Sequence, residues 1–214
     1  MTKAIIVTGT DTDIGKTIFA AALTQALAAT YWKPVQAGLA GETDSQTVAR
    51  LSRRPVLPEV YRLKMPASPH LAAETEGLEI DPVKLQIPET SGPVVIEAAG
   101  GLMVPLNREK LFLDLIADWR APVVLCARTT LGTINHSLLS IAALHHAGCP
   151  LMGVAFVGNT NPDVETTICD FGGVANLGCL PLLDDLNSMS LAAAFSGNFE
   201  TCDFLNFERN FNDA

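Results

Sequence analysis

The run GTDTDIGKT, Gly9 to Thr17, constrains this chain more than any other stretch. It follows the apolar residues Ala4-Ile5-Ile6-Val7 and opens an alanine-rich stretch from Ile18 to Ala29. That order predicts strand, glycine-edged loop and helix. Such a loop turns backbone N–H groups inward around a phosphate, and the helix N-terminus adds partial positive charge. Lys16 then reaches the β- and γ-phosphates of a nucleoside triphosphate, and the Thr17 hydroxyl holds Mg²⁺. Five residues separate Gly9 from Gly15, one more than in the generic phosphate loop.

Further apolar, β-branched runs follow: Tyr31 to Val35, Val94 to Ile96, Val123 to Cys126 and Met152 to Val157. Helical spacing fills Asp44 to Leu51, Leu111 to Trp119 and Ile134 to Ala147. Strands without polar alternation belong to a sheet covered on both faces. Strands alternating with helices build right-handed βαβ units. The expected fold is a single ATP-binding α/β domain over residues 1–214, three-layered and phosphate-loop NTPase-like, with a mostly parallel central sheet. Pro55 to Pro93 is proline-punctuated and reads as a connection with a short helix near Asp81 to Leu85. Asn206 to Ala214 reads as a fraying tail.

At 48% hydrophobic and 17% charged residues the chain is globular, and its net charge of −9 disfavours nonspecific contact with nucleic acid or anionic membranes. The five cysteines, Cys126, Cys149, Cys169, Cys179 and Cys202, form no Cys-x-x-Cys pair and read as reduced core thiols. With no signal-like N-terminus and no apolar run near 20 residues, the expected location is cytoplasmic.

Four more positions carry chemistry. Glu97 ends an apolar strand and precedes Gly100-Gly101. A carboxylate there needs a partner, and in a phosphate-loop protein the natural one is Mg²⁺. Asp44 opens a helix, as a first-turn carboxylate or as a further metal ligand at the same sheet edge. Lys33 stands at the end of the second strand, either solvated or facing the phosphate loop as a second cation. Gly132-Thr133-Ile134-Asn135 begins a helix, and its free N–H groups either receive an ordinary cap or bind a substrate carboxylate.

Taken together, these segments resemble the dethiobiotin synthetases over most of the chain, from Thr8 to about Leu183. The extended phosphate loop, KPVQAG (Lys33 to Gly38), Asp44, Ser68-Pro69-His70, EAAGG (Glu97 to Gly101), LGTINH (Leu131 to His136), HAG (His146 to Gly148), Asn159 and Pro181-Leu182-Leu183 are similar to that family's motifs in the same order. The resemblance implies ATP and Mg²⁺ as cofactors and 7,8-diaminopelargonate with CO₂ as substrates. One amine becomes a carbamate, the carbamate attacks the γ-phosphate, and the second amine closes the ureido ring. It places Asp13, Ile14, Gly15, Lys16, Thr17, Ala98, Ala99, Gly100, Asn159, Pro181, Leu182 and Leu183 around the nucleotide. Thr17, Asp44 and Glu97 would hold the metal. Thr12, Lys33 and Ala37 would lie beside the diamine or carbamate, with Lys16, Lys33 and Thr12 catalytic. The helix start at Gly132 to Asn135 would take the substrate carboxylate, supplied in the family by the neighbouring subunit of a homodimer. Two positions depart from the family: Ala37 replaces a hydroxyl residue, and Ala98 replaces a glycine. These departures leave a paralogue with altered substrate as one alternative, and a partitioning-ATPase-like nucleotide switch, which shares the general fold, as another. Such switches carry an extra lysine early in the loop, where Thr10-Asp11 stands here.

Overall fold

A computed structural model describes residues 3–205. The expected tail, Asn206 to Ala214, lies outside the described residues. In chain order the elements are β1 Ala4–Gly9, α1 Lys16–Ala26, β2 Thr30–Trp32, β3 Val35–Ala37, α2 Asp44–Ser52, β4 Val56–Leu57, β5 Tyr61–Leu63 and α3 Pro69–Thr75. A 3₁₀ turn at Pro82–Lys84 precedes β6 Val94–Glu97, α4 Phe112–Trp119, β7 Val123–Arg128, α5 Thr133–His146 and β8 Leu151–Val157. Then come α6 Pro162–Gly172, β9 Asn176–Leu180, α7 Ser188–Asn198 and α8 Thr201–Leu205.

Seven strands form one sheet in the order β4-β2-β6-β1-β7-β8-β9, and every ladder between them is parallel. From β1 the chain crosses outward past β6 to reach β2, and later crosses back over β1 to β7. The strand order therefore reverses beside β1, and the carboxyl ends of β1, β6 and β7 open onto one crevice. The period-2 alternation of strand side chains divides the core in two. Ile5, Val7, Tyr31, Val95 and Val124 face Phe19 and Leu23 of α1 and Phe195 of α7. Ile6, Trp32, Ile96, Val123 and Leu125 face Phe112 of α4, Ile141 of α5 and Ile168 of α6. Both faces are thus covered, which accounts for the unbroken apolar runs.

Three expectations need correcting. Tyr31 to Val35 is not one strand. Pro34 has no N–H to continue a ladder, and its carbonyl accepts from Val60 and Tyr61 N–H at 2.9 and 3.1 Å. The chain leaves the main sheet there, and β3 pairs with β5 in a separate two-stranded sheet. Pro55 to Pro93 holds β4, β5 and α3, each too short to show a period, besides the expected short helix near Asp81 to Leu85, which is the 3₁₀ turn. Finally, four cysteines are buried, but Cys202 is exposed on α8. No helix among the described residues is long and apolar enough to cross a membrane.

Candidate active site

Gly15 sets the phosphate loop. Its φ is +94°, and a Cβ there would lie 2.6 Å from Val157 Cγ1, so only glycine brings the loop this close to β8. Lys16 follows as the first residue of α1, with its ammonium turned back over the loop to donate to the Asp11 carbonyl at 2.5 Å. Lys16 is 6% exposed, and burial lowers its pKa against the opposing pull of Glu97.

Around Lys16 the structure gathers residues from four segments. The Thr17 hydroxyl lies 2.8 Å from Glu97 Oε1 and 3.1 Å from Asp44 Oδ1. The Lys33 ammonium lies 2.6 Å from Asp44 Oδ2 and 3.2 Å from Glu97 Oε1. Burial alone would lower the Lys33 pKa, but Glu97 and Asp44 outweigh it and raise the value above the ordinary one. Asp44 shows the reverse balance: burial opposes its charge, and Lys33 with the Thr17 hydrogen bond brings its pKa below the usual range. These groups, with Thr12, Asp13, Gly15 and Gly100, line a cleft of about 310 Å³.

Local structure explains each placement. Lys33 sits at the break between β2 and β3, where the chain leaves the sheet. Thr43 caps α2 by accepting from Gln46 N–H at 3.3 Å, and the Gln46 side chain accepts from Thr43 N–H at 2.8 Å. This reciprocal cap fixes Asp44 in the first turn of α2. Gln36 adds a second support, its Oε1 accepting from Asp44 N–H at 3.3 Å. Glu97, 1% exposed, closes β6 beside β1, and the Tyr31 hydroxyl donates to its Oε2 at 2.7 Å.

One hydroxyl and two carboxylates make an all-oxygen donor set suited to a hard divalent cation.

Past Gly15 the cleft continues into a groove of about 610 Å³. Ile14, Ile18, Pro181, Leu182 and Leu183 give it apolar walls, and Asn159 and Asn161 add two side-chain amides. Apolar walls with a few amides beside a phosphate loop suit a purine ring. Of the segment after Glu97, only Gly100 reaches the phosphate cleft. Ala98 and Ala99 are packed in the core, and Ala98 N–H donates to the Val7 carbonyl at 2.9 Å. An alanine there is accommodated because its side chain points away from the cleft. Ala37 belongs to β3 and does not line the cleft around Lys16. Gly132 and Thr133 line a recess of about 90 Å³ with Thr10, Asp11 and Arg128, whereas Ile134 packs on the core and Asn135 is exposed.

Arg128 was not among the expected residues. It ends β7, lines both the groove and the recess, and donates to the Thr12 carbonyl at 2.7 Å. A cation closing the apolar run Val123 to Ala127 beside the phosphate loop was the available signal. Gln36 and Tyr31 were missed as well.

Comparison with known proteins follows the same lines. A family model described as an AAA domain matches residues 3–190. A protein of Rhodopseudomonas palustris strain HaA2, named ATP-dependent dethiobiotin synthetase BioD, is 60% identical over 208 residues, covering 96% of this chain and 98% of that one. A Brucella ovis protein of the same name is 56% identical over 212 residues, covering 98% and 100%. Among solved structures, a ParA family ATPase from Chlorobium tepidum TLS aligns with a TM-score of 0.56 at 9% identity, covering 92% of this chain and 91% of that one. The Aquifex aeolicus MinC:MinD cell division complex aligns with a TM-score of 0.55 at 14% identity, covering 99% and 96%. These two likenesses concern the fold alone.

Proposed function

We infer the chemistry of this chain from the family to which it belongs, the ATP-dependent dethiobiotin synthetases. It is an ATP-dependent ligase of biotin biosynthesis that closes the ureido ring of dethiobiotin. Its substrates in this reading are 7,8-diaminopelargonate and CO₂. One amine adds to CO₂ and loses a proton to give a carbamate. A carbamate oxygen attacks the γ-phosphorus, ADP leaves, and a carbamic–phosphoric anhydride remains. The second amine attacks the carbonyl carbon and expels phosphate.

The observation that carries this reading is the meeting of Lys16, Lys33, Asp44 and Glu97 in one cleft. A carbamate and a triphosphate are both anions and repel each other. Lys16 and Lys33 supply positive charge on the two sides of the approach, and burial strengthens it. No protein nucleophile is needed, because the substrate's amines do the bond-making. The chain's contribution is positioning and charge neutralisation.

Thr17, Asp44 and Glu97 would hold Mg²⁺. When bound, Mg²⁺ would neutralise charge that develops on the phosphate oxygens. Lys33, which meets Asp44 and Glu97 in this structure, would be the cation available to the carbamate. Thr12, between the phosphate cleft and a second cleft of about 340 Å³, lies where the diamine chain would enter. The free N–H groups at the start of α5 would take the substrate carboxylate from a second copy of this chain. Exposed Met103, Leu131 and Leu139 surround these openings and support a homodimer interface there.

The test is phosphate release with ATP, Mg²⁺ and bicarbonate, with and without the diamine. Release that requires the diamine is expected. Release that ignores it would indicate a nucleotide switch instead.

A further inference from the structure

One buried polar group close to this chemistry has no role in it so far. Tyr31 is fully buried beneath α1, among Ile5, Val7, Phe19 and Val95. Its hydroxyl donates to Glu97 Oε2 at 2.7 Å. The sheet register explains the meeting. Tyr31 lies opposite Val95 on β6, and Glu97, two residues further on, shares the same face. The two oxygens of Glu97 thereby have different duties. Oε2 is tied to the scaffold through Tyr31, and Oε1 faces Thr17 at 2.8 Å and Lys33 at 3.2 Å. A phenylalanine would serve packing at this position equally well, so the hydroxyl has a purpose other than filling space.

We propose that Tyr31 is a positioning residue for the divalent cation: its hydroxyl holds the Glu97 carboxylate in the orientation that keeps Oε1 on the Thr17 hydroxyl, where Asp44 would join it around the cation. This inference rests on the reading of Glu97 as a cation ligand. Without the hydrogen bond the carboxylate swings about its last torsion, and the oxygen donors lose their common focus. Outer partners of metal ligands of this kind typically change metal affinity by about 10- to 100-fold.

Tyr31→Phe tests it. Mn²⁺ affinity is measured by electron paramagnetic resonance in the presence of a non-hydrolysable ATP analogue, beside the Mg²⁺ dependence of turnover. Tyr31→Phe is expected to weaken Mn²⁺ binding about 10-fold and to raise the Mg²⁺ needed for half-maximal turnover. Excess Mg²⁺ should restore most of the rate, and metal-free nucleotide affinity should stay as in the parent. A folded Tyr31→Phe protein with parental Mn²⁺ affinity overturns the positioning role. Glu97→Gln is measured alongside. Parental Mn²⁺ affinity in Glu97→Gln would instead overturn the ligand reading itself, and the inference with it. If Tyr31→Phe does not fold, fluorine supplies the second readout. The chain has two tyrosines, so 3-fluorotyrosine in a Tyr61→Phe background labels Tyr31 alone. Its ¹⁹F resonance is expected to move when Mg²⁺ is added with the ATP analogue. A resonance unmoved by saturating Mg²⁺ overturns the proposal.

Discussion

Lys33 is 4% exposed and touches two carboxylates, an arrangement that is costly to break from one side. Lys33→Ala is expected to lower diamine-stimulated turnover by about 100-fold or more while ATP binding persists, because Lys16 and the loop amides remain. Steady-state kinetics beside nucleotide titration checks it; parental turnover would remove Lys33 from the mechanism. Asp44 gives a pH prediction. Its folded pKa lies below the ordinary aspartate value of 3.8. The stability it contributes is therefore complete above that value and is lost as pH falls through the lowered folded one. Asp44→Asn should flatten the acid limb of a urea-denaturation series below about pH 4. Lys33 acts at the other end. Its raised folded pKa stabilises the protein below the ordinary lysine value of 10.5, and that contribution is lost as pH rises through the folded value. Lys16, Thr17, Asp44 and Glu97 were legible in the sequence because each is a polar residue at the edge of an apolar run or loop. Tyr31 and Gln36 were not. Tyr31 reads as one more β-former, and nothing in local pattern says which side-chain oxygen its hydroxyl will find across the sheet.

At the scale of the element, the start of α2 matters most. Its reciprocal cap between Thr43 and Gln46 holds the turn that carries Asp44. Thr43→Ala is expected to cost about 1 kcal/mol in urea denaturation. On the proposed reading of Asp44 as a metal ligand, it should also weaken Mg²⁺-dependent turnover more than metal-free ATP binding. Equal effects on both would separate the cap from the site. The long parallel strands β1, β7 and β8 were readable because burial on both faces leaves an unbroken apolar run. β4 has two residues and β3 and β5 three each, too few for any period to register. β9, with Asn176 and Gly178 in five residues, lacks the β-branched composition of a strand. The departure of the chain at Pro34 was marked by the proline, but its direction was decided by pairing with β5, some 25 residues on.

The whole molecule adds charge and assembly. The net charge of −9 extends into the cleft, where Asp13, Asp44 and Glu97 outnumber Lys16 and Lys33, so loop N–H groups and a divalent cation would carry the rest of a triphosphate's neutralisation. The apolar openings near α5 predict self-association. Sedimentation of the parent is expected to give a dimer, and Leu131→Asp to shift it toward monomer with a raised KM for the diamine; an unshifted dimer would place the interface elsewhere. The far end of the described chain matters as well. Phe19 of α1 lies within 6.2 Å, ring centre to ring centre, of Phe195, Phe199 and Phe204. The helix that follows the phosphate loop is synthesised well before the aromatic clamp on its flank. A ribosome-held chain ending before residue 195 should therefore leave its nucleotide loop open to protease, and gain protection by ATP only once Phe204 has emerged.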